Sequence, residues 1–459
     1  MSVALAAAPV LVVLGALLLR RPAWQAAAAG LAVLAVTSWL ADAPVVDLGA
    51  AAGNSAVLVL EVGLVLLGGL ALAEVGRGRG FPEAVTAYIA ATGAPRPAVV
   101  LLVVLGLTPF AESVTGFGVG AVIAAPILLA LGLRPVQAAV VALLGLCTVP
   151  WGALAPGTLV AAALTGLDPD LLGVTSAAAS LPVFLTVGGA AVLFSDGRRA
   201  ALRHVPDLLA VAVALDVGIL LANLLVGTPP AGAIGALVAT AVATAVLRMR
   251  SGRPLPPVGT VARTAFPYLV LLLGLISGRA AAALLDGHPA AALLGSPATW
   301  LLLLSVLFTR VAQWPGVLRA WSPVALVTSA FLVLGVLLTA TGQAAQLGRA
   351  AATLDTSYPA LAPWLGGLSG YLTGSNAGAN AMLAAAQAEA AAGLGLSVIT
   401  LVTVQNVSAS LLTMASPARV AMAAAVTGAT GQTGSITARL LAVDAVAVLT
   451  LTIGSVLVA

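Results

Sequence analysis

Apolar runs of about 20 residues, each long enough to cross a bilayer as a helix, follow one another from Val3 to Val458 with short connections. Few folds are open to such a chain. Hydrophobic residues fill 61% of the 459 positions and charged residues 7%, with a mean hydropathy of +1.14, where a soluble domain carries about a quarter charged residues. The expected fold is an all-α polytopic membrane protein with about 12 to 16 membrane segments, some of them re-entrant hairpins or broken helices. The longest polar connections, Arg248–Arg263 and Thr341–Ser357, are too short for a separate soluble domain.

All 19 cationic residues are arginines, and most stand at the ends of apolar runs. That pattern sets topology by the positive-inside rule and is not a nucleic-acid patch. Val3–Leu19 reads as a first span with its N-terminus outside, because Arg20-Arg21 follow the apolar run and do not precede it. Asp42 to Asn54 then reads as an external loop, Phe81–Thr92 as a cytoplasmic interfacial segment, and Arg248, Arg250 and Arg253 as a cytoplasmic cluster. Arg279 and Arg349 fit this walk poorly. Trp24, Trp39, Trp300, Trp314, Trp321 and Trp364 near span ends read as interfacial anchors. The single cysteine, Cys147, allows no intramolecular disulfide and reads as a small buried residue.

Within this apolar background, Pro109–Gly120 places Glu112, Ser113, Thr115 and three glycines at membrane depth. An ionisable group there costs roughly 2.5–3.5 kcal/mol even on lenient insertion scales, so it usually has a task. Broken backbone is tolerated only where it is buried in protein or lines a cavity. The stretch therefore reads as one wall of a binding site.

A second wall comes from an internal repeat. Thr115-Gly116, Leu131-Gly132-Leu133, Ala155-Pro156 and Thr165-Gly166 recur in the same order as Thr373-Gly374, Leu394-Gly395-Leu396, Ser416-Pro417 and Thr427-Gly428. The last interval is nine residues in one copy and ten in the other. Pro156 falls outside in the charge-based walk, and Pro417, beside Arg419, falls inside, as in two inverted repeats. Broken helices at corresponding places of two halves are the sequence pointer to a secondary-transporter site. The chain divides accordingly into N-terminal spans and an interfacial segment (1–96), a first repeat core (97–200, break 109–120), middle spans (201–358) and a second repeat core (359–459, break 373–380).

The candidate substrate-binding residues are Ser113, Thr115, Gly116 and Gly118 in the first half. In the second they are Thr373, Gly374, Ser375, Asn376, Asn380, Gln405, Asn406, Ser408 and Arg419. A half-helix N-terminus offers unpaired N–H groups to a carboxylate, and a guanidinium pairs with one bidentately. The same residues have plainer uses: Ser375, Asn376 and Asn380 can hold helices together, and Arg419 can be a topology charge. Glu112 and the mid-span Asp216 are the candidates for proton coupling, with a structural acid as the alternative for each. Glu61, Glu389 and Asp444 lie closer to span ends or cavities, and Glu74 beside Arg77 reads as a solvated pair. His204 and His288 fall in loops, and no metal-ligand spacing or phosphate loop appears. No metal site and no cofactor is expected.

At these positions the chain resembles the lactate permease family. The match rests on Glu112 with Gly116-Phe117-Gly118, Thr165–Pro169, Leu372–Ser375, Asn380-Ala381, Gln387 and Ser416-Pro417, and runs from about Leu101 to the C-terminus. The resemblance implies proton-coupled movement of lactate, glycolate and related 2-hydroxy monocarboxylates. It also implies a scaffold domain and a moving transport domain. The family usually has an acid where Asn376 stands and a lysine where Thr413 stands, and its members are usually longer. Here a cation reappears as Arg419.

The resulting expectation is a multi-pass plasma-membrane (inner-membrane) permease that takes up lactate or a similar anion with protons by alternating access. Its partners would be the anion, protons and the lipid bilayer, with no nucleic acid; homo-oligomerisation is left open. Sodium coupling to another organic anion is the first alternative. An intramembrane enzyme lacks a visible nucleophile–base pair, Ser113 having no neighbouring histidine, and a channel would not concentrate its substrate.

Overall fold

The computed structural model describes residues 2–41, 45–252, 254–285 and 287–458, without the side chains of residues 45–52, 54 and 55. Among these the regular elements are all helical. Ten helices are long and apolar enough to cross a membrane, and twelve if each of two bent pairs counts as one span. The chain is thus an all-α polytopic membrane protein at the lower end of the expected span count. Val3–Leu18, Val119–Ala130 and Leu181–Asp196 are shorter apolar helices. The expected external loop is a correction: Val45–Gly78 is one helix, and residues 42–44 lie outside the described residues, as does Arg253.

The repeat is visible element by element. In the first half Thr108–Thr115, Val119–Ala130, Pro135–Leu144 and Pro156–Thr165 follow one another; in the second, Tyr358–Thr373, Asn376–Gly393, Val398–Leu412 and Pro417–Thr427 do. The third helix of each set runs into a 3₁₀ segment, Gly145–Leu154 or Thr413–Ala415, and then into a proline-started helix. Pro at the first helical turn fits because that position needs no backbone N–H.

The packing of the halves is reciprocal. The Pro156 helix lies on the Asn376 helix, and the Pro417 helix lies on the Val119 and Pro135 helices. A two-fold axis through the centre produces such an exchange. One apolar core runs through both halves, with Leu144, Trp151 and Phe184 joined by Leu411, Met414 and Leu440. A smaller cluster around Val13, Leu66 and Phe331 attaches the N-terminal spans. Nearly every residue of Arg96–Thr115 and Pro135–Leu154 is buried, whereas in the outer spans the buried share runs from a third to just over half. The broken helices therefore sit inside a protein jacket, which is where broken backbone is tolerated.

Ion pairs mark the two ends. Arg250 meets Asp207 at 2.9 Å and Arg96 meets Asp196 at 2.7 Å. At the other end of the Thr228–Ser251 helix, the N–H of Thr228 donates to Asp170 at 2.9 Å, and Arg279 pairs with the same carboxylate. Arg279 defied the charge walk because an acid at its own end neutralises it.

Candidate binding site between the helix breaks

The first break is narrower than residues 109–120. Pro109 opens the Thr108–Thr115 helix after a π-helical turn, Val103–Leu107, and the helix continues to Thr115. A π turn accommodates an interruption of the ordinary hydrogen-bond ladder. The chain breaks at Gly116, Phe117 and Gly118, all with positive φ (72°, 57° and 79°), and doubles back. That reversal aims the N–H groups of Gly118 and Gly120 at Glu112, whose carboxylate accepts from Gly118 at 3.0–3.1 Å and from Gly120 at 3.4 Å. A side chain at position 120 would press on the Thr108 carbonyl, 2.6 Å from a Cβ.

The second break is Gly374-Ser375, with Asn376–Asn380 already helical. Gly374 is left-handed, and Ser375 caps the next helix by accepting from the Gly378 N–H at 3.2 Å. Thr373 ties the turn, donating to the Ser369 carbonyl at 2.7 Å. A third irregular stretch faces both: Ala153, Leu154 and Ala155 are successive left-handed residues (φ 51°, 63°, 70°). Such conformations cost of order 1–3 kcal/mol each and gather at functional sites.

Between these breaks lies a cavity of about 40 Å³, lined by Glu112, Gly116, Phe117, Gly152, Ala153, Pro156, Gly157, Gly374, Ser375, Asn376, Ala377 and Arg419. Val62, Leu66, Val149 and Thr328 complete the wall. Arg419 and Glu112, one from each half, meet there. Nη1 of Arg419 is 3.6 Å from Oε1 of Glu112, and the side chains are 9% and 1% exposed. At that length the pair attracts without a hydrogen bond, and Nη1 has no hydrogen-bond partner among the described residues.

Four helices begin at this point, at Val119, Pro156, Asn376 and Pro417. Each N-terminus carries a partial positive charge. Glu112 answers the first of them; Pro156-Gly157 and Asn376-Ala377 line the cavity directly, and Arg419 sits in the first turn of the fourth. The formal charges of Glu112 and Arg419 cancel, and the remaining helix N-termini suit an anion as guest.

A buried amide network backs one wall. The side-chain carbonyl of Asn406 accepts from the amides of Asn376 and Asn380, each at 2.9 Å. Its own amide donates to Thr158 and Ser176, each at 3.0 Å. Asn380 also donates to the Gly157 carbonyl at 3.0 Å, and Gln405, Gln387 and Tyr358 extend the chain of bonds. Asn376 is thus held at the cavity wall by residues of both halves. Replacing Asn406 with Ala strips four side chains of a partner; at roughly 0.6–1.7 kcal/mol per interhelical bond in a membrane, the melting temperature of the detergent-solubilised protein should fall by several degrees.

Of the residues expected to bind substrate, Gly116, Gly374, Ser375, Asn376 and Arg419 line the cavity, with Glu112. Gly118 serves through its backbone. Asn380, Gln405 and Asn406 stand behind the wall, and Thr115, Thr373 and Ser408 bond to carbonyls of their own helices. Ser113 faces away, toward Gly232 on the Thr228–Ser251 helix. Asp216 is buried on Val205–Leu225, away from the cavity, with Oδ1 unpartnered. The buried Ser113 hydroxyl has no hydrogen-bond partner among the described residues, so Ser113→Ala should leave uptake unchanged and stability unchanged or raised, as checked by initial rates and thermal melting. Gly152, Ala153, Pro156 and Gly157 were not among the expected ligand positions; Pro156 and Pro417 were expected on opposite sides, whereas the first turns of both helices, at Pro156-Gly157 and at Arg419, reach the same cavity. Thr328 carries no sequence signal of the role.

A family model described as L-lactate permease matches residues 2–254 and 307–459. The match begins a hundred residues earlier than the motifs alone indicated and omits the stretch between residues 255 and 306. No curated protein matches the chain.

Proposed function

The chain belongs to the L-lactate permease family, and from that premise we propose that it carries lactate or a related 2-hydroxy monocarboxylate across the plasma membrane together with a proton. The observation that carries the proposal is the orphan donor. Arg419 is buried in a cavity ringed by helix N-termini, attracted to Glu112 but not hydrogen-bonded through Nη1. A substrate carboxylate supplies the missing acceptor.

Coupling follows from charge. Empty, the site holds one guanidinium and one carboxylate and is neutral. At 3.6 Å and an effective dielectric of about 20, such a pair attracts by roughly 4–5 kcal/mol. A second carboxylate beside Arg419 would make the site net negative in a low-dielectric interior. Protonation of Glu112 restores neutrality, so anion and proton enter as a unit. Empty and doubly loaded sites both cross without net charge, whereas the half-loaded ones are penalised. This makes exchange of access strictly coupled without any contact between proton and substrate.

The residue ranges 97–200 and 359–459 form the transport core in this reading, and 1–96 and 201–358 its surround. The core halves are inverted about an axis in the membrane plane, and a rocking or sliding of the core opens the cavity to one side and then the other. The 40 Å³ cavity then corresponds to a closed, unloaded state.

The test is uptake of radiolabelled lactate by proteoliposomes under an imposed pH gradient, with and without sodium. Accumulation driven by the pH gradient alone is expected. Failure to accumulate lactate and glycolate alike sinks the proposal, and a sodium requirement replaces the proton.

A further inference from the structure

The small central cavity is flanked by two far larger openings, and its own helices lead into both. One, of about 590 Å³, lies further along the Pro156 helix: Leu159, Ala162 and Ala163 follow the cavity-lining Pro156 and Gly157, and Leu58 and Glu61 precede Val62 and Leu66 on the neighbouring helix. The other, of about 650 Å³, lies along the Pro417 helix, where Ala418 and Ala421 flank Arg419, and Gly374 lines this opening and the central cavity alike. The Pro156 and Pro417 helices are counterparts in the repeat, so each opening runs along the same element of its half.

Their charge differs. The first opening is lined by Glu61, Asp170 and Arg279, and the arginine is already paired with Asp170. The second is lined by Arg20 and Arg21, both exposed, and by no acidic residue. At its inner end Ser416 is buried, and its hydroxyl has no hydrogen-bond partner among the described residues.

We propose that the two openings are the two half-paths to the central site, that the Arg20–Arg21 opening is the cytoplasmic mouth, and that Gly374 and Ser416 partition it from the Glu112–Arg419 cavity. The inference rests on the transport reading above and deepens it by assigning the route. A two-arginine mouth without acids raises the local concentration of a small carboxylate, an effect that added salt removes within a Debye length of about 10 Å at 0.1 M. The Ser416 hydroxyl is placed to hand the anion across the partition.

The chain holds one cysteine, so Cys147→Ala provides a background for single cysteines. Ala421→Cys and Thr437→Cys stand at the proposed cytoplasmic mouth, and Ala163→Cys at the opposite one. A membrane-impermeant maleimide should modify the first two in inside-out vesicles and not in intact cells, and Ala163→Cys in intact cells and not in inside-out vesicles. Labelling of all three from one side, or of none from either, overturns the route. In addition, Arg20→Gln/Arg21→Gln should raise the KM for lactate about 3–10-fold in inside-out vesicles at low salt, with the difference lost at high salt and KM in intact cells unchanged. An unchanged inside-out KM removes the role of the arginines. Labelling requires no transport, so correct sidedness without lactate movement condemns the transport reading alone, and lactate movement with wrong sidedness condemns the route alone.

Discussion

Arg419→Gln should lower kcat/KM for lactate uptake by two to three orders of magnitude, the largest single-site loss expected in this protein. Two effects add. The substrate carboxylate loses its guanidinium partner in the cavity, and Glu112 is left as a buried charge without its counter-ion. Removing one member of a buried pair costs about 3–5 kcal/mol, and each 1.4 kcal/mol is a factor of ten. Part of that cost falls on folding, so melting of the purified variant must be measured beside uptake. The double variant Glu112→Gln/Arg419→Gln separates the two: with neither charge present it should melt close to the parent and still fail to transport. Arg419→Lys keeps the charge but not the planar fork and should retain partial activity with a raised KM. If Arg419→Gln transports within a few-fold of the parent while folded, the arginine is a topology charge.

Glu112→Gln should separate binding from coupling. The parent, moving one proton with each anion, should accumulate lactate about tenfold per unit of pH gradient, since one pH unit is worth about 1.4 kcal/mol. The amide mimics the protonated acid, so the site is already neutral once the anion is bound beside Arg419. Counterflow of labelled against unlabelled lactate should persist, while accumulation under a pH gradient should fall to none. Glutamine retains one acceptor oxygen for the Gly118 N–H, which limits the damage to the turn that Glu112 now organises through three backbone contacts. Accumulation that survives the substitution makes Glu112 a structural cap of the Val119 helix.

The legible part of the site was the part written in rare residues. A glutamate, an arginine after a proline, and a cluster of Ser and Asn are conspicuous in a chain with 7% charged residues. Order and spacing of Thr-Gly and Pro pairs were enough to place the breaks in two matching series. The extent of each break was less legible. Pro109 looked like an interruption, yet a π turn upstream absorbs it, and Asn376–Asn380 looked like a loop, yet Ser375 caps them into a helix. Side-chain direction was not legible at all. Ser113 and Glu112 are neighbours in sequence, but one turns to Gly232 and the other to the cavity, because successive residues on a helix point about 100° apart. The apolar wall residues Val62 and Leu66 share their composition with the rest of the membrane core and gave nothing to notice.

The match between the halves also shows where they have ceased to be copies. Counting back from Thr115 and from Thr373 sets Glu112 opposite Gly370, and counting on from Pro156 and from Pro417 sets Arg419 opposite Thr158. A Cβ at Gly370 would lie 1.9 Å from the Ala409 carbonyl, so no carboxylate fits there, and Thr158 spends its hydroxyl on the Pro150 carbonyl and Asn406. Two identical halves would have brought two acids and two bases to the axis, or none. A single pair leaves each half with one charge and makes it depend on the other for the counter-ion.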